Sequence, residues 1–102
     1  MYRQGDVCLV PTTECLRGLR RERGPGPIIL ARGEATGHAH VIASPRVRAV
    51  QGERGNRFIV VPQGGFADLQ HEEHDAIRIP PGTYRIQIQR EYTPGSVRRV
   101  SD

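Results

Sequence analysis

The stretch TYRIQIQREY, residues 83–92, decides the fold class. Tyr84, Ile86 and Ile88 alternate with Arg85, Gln87 and Gln89, so an extended chain here has one apolar and one wet face at a period of two residues. That pattern predicts an antiparallel strand with one side on a core. Just before it, Pro80, Pro81 and Gly82 interrupt the chain after the apolar run AIRIP, residues 76–80. The prolines lack backbone donors and Gly82 can take positive φ, so a hairpin between the two runs is expected.

Further strand-length runs lie upstream between glycines and prolines: DVCLVP (6–11), PIILAR (27–32), HAHVIA (38–43), RVRAVQ (46–51), RFIVVP (57–62) and FADLQ (66–70). Their spacing predicts an all-β fold, a small antiparallel β-barrel or sandwich with little helix. One segment differs. CLRGLRRERGPGP, residues 15–27, reads as a basic Gly/Pro-rich loop or one short helix. At the end, SVRRVSD either adds an edge strand or frays. A chain of 102 residues suits one β domain over 1–102 with a modest core.

All four histidines fall in two clusters, GHAH (37–40) and HEEH (71–74). On a strand, positions i and i+2 share a face, so His38 and His40 project side by side. In HEEH the outcome depends on the backbone. A helix or tight turn puts His71 and His74 on one side, whereas a straight strand pairs His71 with Glu73. Neutral imidazole is a common ligand of transition metals, and a site needs three or four ligands converging from separate segments. The expectation is a divalent metal held by His38, His40, His71 and His74, zinc first, with iron, nickel or copper as alternatives. The competing reading makes these solvent-exposed turn residues, or core histidines satisfied by backbone carbonyls. With three protein ligands a coordination position stays open to water, and Glu72 or Glu73 becomes the candidate catalytic base of a metal-dependent hydrolysis. Four protein ligands would close the site. Glu34 is a weaker candidate of the same kind, and Cys8, among apolar neighbours, reads as a buried inert thiol.

Composition removes other chemistries. All 15 cationic residues are arginine, so there is no P-loop lysine, Schiff-base lysine or lysine base. None of Ser44, Ser96 and Ser101 stands in a Gly-x-Ser-x-Gly context. The net charge of +4 is compatible with nucleic acid or another acidic partner, with Arg17, Arg20, Arg21 and Arg23 as the binding candidates against a solvated-loop alternative. A second function therefore stands beside the metal site: a nucleic-acid-binding protein, or a metal-independent ribonuclease using histidine acid/base chemistry. A third is a β domain that only joins partners. No apolar run reaches the roughly 20 residues that cross a bilayer, and the two cysteines form no Cys-x-x-Cys pair. A cytoplasmic location, a small-molecule or nucleic-acid partner and a homo-oligomer are the corresponding expectations.

MYRQGDV at the start, GEATGHAH in the middle and HEEHDAIRIPPGTYRIQIQREY near the end together resemble a family of small bacterial proteins of unassigned function. The resemblance spans most of the chain and implies no activity. The chain also resembles the cupins, small β-barrels with a His-x-His motif followed by a glutamate, and a Pro-x-Gly motif ahead of a third histidine. Here His38-Ala39-His40 and PQGG (62–65), ahead of His71, carry that likeness. Ser44 and Pro45 stand where the glutamate is expected, and Ala67 where the third histidine is.

Overall fold

The computed structural model describes residues 1–13, 18–22, 27–32, 37–52, 55–88, 92–93 and 96–99. Among these, every regular element is a strand: β1 (Tyr2–Gln4), β2 (Val7–Pro11), β3 (Arg20–Arg21), β4 (Ile28–Arg32), β5 (Ala39–Ile42), β6 (Arg48–Gln51), β7 (Arg57–Val61), β8 (Ala67–Gln70), β9 (Ile77–Ile79), β10 (Gly82–Ile88), β11 (Tyr92–Thr93) and β12 (Ser96–Arg99). They form a six-stranded sheet in the order β1-β2-β10-β7-β6-β3, a four-stranded sheet in the order β4-β5-β8-β9, and the pair β11-β12. All pairings are antiparallel. The arrangement is sandwich-like.

Period-two patterning places the core between the two larger sheets. Val7 and Leu9 of β2, Ile59 and Val61 of β7 and Tyr84 of β10 meet Leu30 of β4, Ile42 of β5, Leu69 of β8 and Ile79 of β9 in one buried cluster. Burying a side chain of this size is worth about 1.5–3 kcal/mol, so this cluster is the main force joining the sheets. Cys8 and Phe58, at the alternate positions, are buried outside that cluster, and Cys8 is a free thiol. The inert reading of Cys8 fits this position.

Two local readings change. Pro80 and Pro81 do not close a hairpin, because β9 lies in the four-stranded sheet and β10 in the six-stranded one. Residues lacking N–H donors cannot continue a ladder, so the chain turns a corner and changes sheets, and the Tyr84 hydroxyl donates to Pro80 O at 2.7 Å across it. Second, the basic segment contains β3, which pairs Arg20 with Gln51 and Arg21 with Val50. Tyr2–Gln4 adds a strand too short to show an alternation. Gly5, at φ 58°, occupies the first position of the two-residue turn between β1 and β2, where a tight hairpin of this kind requires glycine. That turn matters because it delivers Gln4 and Asp6 to the histidines.

Candidate metal centre

The site is built where the β5–β8 ladder ends. Val41 pairs with Gln70 and Ile42 with Leu69. Carrying that antiparallel register onward sets His40 opposite His71, Ala39 opposite Glu72 and His38 opposite Glu73. Side-chain contacts continue the pairing that the backbone drops. The Ala39 N–H donates to Glu72 Oε2 at 3.1 Å, and His38 Nδ1 lies 3.3 Å from Glu73 Oε1. Gly37, at φ 74°, turns the chain just before His38, a conformation open mainly to glycine.

Residues 72–74 form a bend, so the turn alternative for HEEH holds. The four imidazoles come together around His71, whose ring centroid lies 4.3 Å from that of His40, 4.6 Å from that of His74 and 5.6 Å from that of His38. His40 is fully buried and His71 nearly so, while His38 is half-buried and His74 exposed. One ligand atom each from His38, His71 and Glu72 lie within 4.8 Å of one another. This His/His/Glu cluster is capable of coordinating a metal.

Gln4 fixes His40. The Gln4 Nε2 amide, in a side chain only 3% exposed, donates to Leu69 O and to Asp75 O, both at 2.9 Å. Its donors are thereby used, so Gln4 Oε1, 2.8 Å from His40 Nδ1, must accept, and His40 carries its proton on Nδ1. The other nitrogen, Nε2, faces Asp6 Oδ1 at 3.6 Å, an ion pair when the ring is protonated. Because Leu69 and Asp75 flank the bend, the same amide also clamps the segment that carries His71 and Glu72.

Backbone donors set the remaining charges. The Glu73 N–H donates to His71 Nδ1 at 3.0 Å, so that lone pair is engaged. Glu72 titrates below the ordinary 4.5, chiefly through a hydrogen bond from its own backbone N–H and next through that from Ala39. Desolvation opposes the shift, and the positive fields of His38 and His71 add smaller downward contributions. Glu72 is therefore anionic at neutral pH, as a ligand must be.

Each expected site residue can now be placed. His38, His71 and Glu72 form the potential ligand group, with Glu72, expected as a base, among the ligand atoms. His40 and His74 lie against His71 without joining that three-membered group. Glu73 faces His38. Arg20 and Arg21 are exposed on β3, in the six-stranded sheet, whereas β5 and β8 belong to the four-stranded one. Arg17, Arg23 and Glu34 lie outside the described residues. Gln4 and Asp6 were not anticipated. The only signal for them was two polar residues flanking a glycine turn beside an apolar strand. Among the described residues, no helix is long and apolar enough to cross a membrane.

No curated protein and no solved structure gives a significant match to this chain. A family model described as a domain of unknown function, DUF8820, matches residues 3–89, a span that takes in the Gln4 turn, both histidine clusters and nine of the strands of the two larger sheets in full. With most of its length so matched, the chain belongs to that family, while the cupin likeness finds no counterpart.

Proposed function

We propose that this protein is a small metal-binding β protein whose ion is held by His38, His71 and Glu72, and that the site serves metal-assisted hydrolysis. The observation that carries the reading is the convergence of their three ligand atoms within 4.8 Å. Two nitrogens and a carboxylate oxygen suit zinc first, with iron, nickel or copper compatible. Ligand atoms on one tetrahedral zinc lie roughly 3.4 Å apart, so the side chains need to close by no more than about 1.5 Å. A divalent ion in such a three-ligand setting supplies Lewis acidity and brings a bound water to a pKa of about 7.

The protein's own groups then divide the remaining work. Glu73 is the general base, an exposed carboxylate held beside the ligand group by its contact with His38. His40 backs the buried side of His71 and, fixed by Gln4, keeps that ring from turning inward. His74 covers the outer side. Ligation also has a local consequence. His71 Nδ1 would have to give up the Glu73 N–H to hold a metal, and ligation through Nε2 would leave a proton on Nδ1 that opposes the same N–H. Either way that hydrogen bond would open.

The test uses tag-free, zinc-loaded protein with p-nitrophenyl acetate and bis(p-nitrophenyl) phosphate as probes. Turnover that disappears with a chelator and falls at least tenfold in Glu73→Gln is the expected result. Loaded protein that hydrolyses neither probe overturns the hydrolytic reading. Chelator-treated protein that still cleaves RNA, and loses this in His38→Ala, would favour the metal-independent ribonuclease alternative. The exposure of Arg20 and Arg21 supports a contact with an acidic partner as a second reading.

A further inference from the structure

A cleft of about 750 Å³ is lined by residues of the edge strands β3 and β4 and of the strands beside β3. Arg20, Arg21 and Arg32 stand exposed at its rim, and Glu22 and Arg57 are half-buried at its floor. The floor pair is closed on itself. Arg57 grips both Glu22 oxygens, at 2.6 and 3.0 Å, and donates to Leu30 O at 3.1 Å and Ile29 O at 3.0 Å. Two successive carbonyls of a regular strand point to opposite sides, but β4 is bulged between Ile29 and Ala31, which turns both toward the same guanidinium.

This arrangement has an electrostatic outcome. Among the described residues, Glu22 is the only acidic one lining the cleft, and Arg57 neutralises it. Among the described residues, Arg20, Arg21 and Arg32 make no ion pair. Three guanidinium groups thus share one concave surface, and no carboxylate of the described residues is left there to oppose them.

We infer that this cleft binds a phosphate-bearing anion through Arg20, Arg21 and Arg32, above the Glu22–Arg57 pair. The guanidinium fork matches phosphate oxygens bidentately, and a concave wall concentrates the field of the three charges. The volume falls in the range of small-ligand sites, about 300–1,000 Å³. Phosphate of this kind comes either from a phosphorylated small molecule or from the backbone of a single-stranded nucleic acid. None of the four histidines lines the cleft.

Binding is measured on protein stripped of metal, so that no ion at the histidines can hold the probe. Pyrophosphate represents the small molecule, and a fluorescent oligouridylate of about 12 nucleotides the strand. The triple variant Arg20→Gln, Arg21→Gln, Arg32→Gln is compared with Arg3→Gln, Arg46→Gln, Arg48→Gln, which removes equal charge from exposed arginines outside the cleft. Saturable one-to-one binding of pyrophosphate, weakened at least tenfold by the first triple and clearly less by the second, supports the site and assigns it to a small molecule. Binding of the oligonucleotide alone, with a salt slope flattened by about 2 in the first triple, supports the site and assigns it to a strand. Absence of binding by both probes, or an equal loss in the two triples, overturns the proposal.

Discussion

Replacing Gln4 by leucine is the sharpest test of how the site is held. Leucine is close to glutamine in size but neither donates nor accepts. The change strands two buried groups around a side chain that is 3% exposed, Leu69 O and the His40 Nδ1–H, while Asp75 O, on an exposed residue, can turn to water. A buried polar group left without its partner costs about 1–3 kcal/mol. Taking the lower half of that range for each of the two buried groups gives a loss of about 2–4 kcal/mol, a large share of the 5–15 kcal/mol typical of a domain. At roughly 4–8 °C per kcal/mol the melting temperature should fall by about 8–32 °C. Thermal and urea unfolding followed by circular dichroism measure the loss, and nitrogen-15 spectra of the imidazoles provide an independent readout. Wild-type His40 should show the Nδ1–H tautomer at neutral pH, and Gln4→Leu should lose that preference. A variant within about 1 kcal/mol of wild type, with an unchanged His40 tautomer, would refute the clamp.

Three more outcomes follow from the same geometry. Zinc titration should release the Glu73 amide from His71, seen as a large shift and faster hydrogen exchange of that one N–H, and an amide unmoved at saturation would contradict ligation by His71. Because Glu72 titrates below 4.5 in the folded chain, the folded state holds that proton less tightly than the unfolded state. Its hydrogen bond to Ala39 therefore adds stability above the unfolded pKa, and that stability is lost as pH falls through the folded one. Glu72→Gln should accordingly flatten the decline in urea midpoint between about pH 6 and pH 3, and an identical decline in both proteins would oppose it. Arg57→Lys keeps the charge but not the planar fork on Glu22, Ile29 O and Leu30 O. It should cost about 2 kcal/mol by urea unfolding, a figure already reduced for partial solvent exposure, and a cost below about 0.5 kcal/mol would remove the bridge between the sheets.

The strands were legible wherever a local pattern specifies them. The alternation of Tyr84, Ile86 and Ile88 reads as β10, and the apolar runs bounded by glycine and proline fall on β2 and β4 to β9 within a residue or two. What a local pattern cannot show is which sheet a strand joins, and the proline corner between β9 and β10 was misread as a hairpin for that reason. The histidine clusters were legible as a pair of ligand-bearing segments. Their registration was not, because it depends on the pairing of Val41 with Gln70 and Ile42 with Leu69, contacts between strands about thirty residues apart. The same holds for Gln4, which reaches Leu69 and Asp75 across most of the chain, and for Arg57 and Glu22, whose meeting needs both sheets in place. Long-range satisfaction of buried polar groups leaves little mark on local sequence.

The most direct measurement of the central claim is the metal content of the protein purified without an affinity tag, determined by elemental analysis for wild type and for His38→Ala with His71→Ala. A tag-borne histidine would bind metal of its own, so the untagged chain is essential. One divalent transition-metal ion per wild-type chain, absent from the double variant while circular dichroism shows the same β fold, is the predicted result. A wild-type chain that retains no ion after purification and takes up none on loading, or a double variant that keeps a full equivalent, would contradict it.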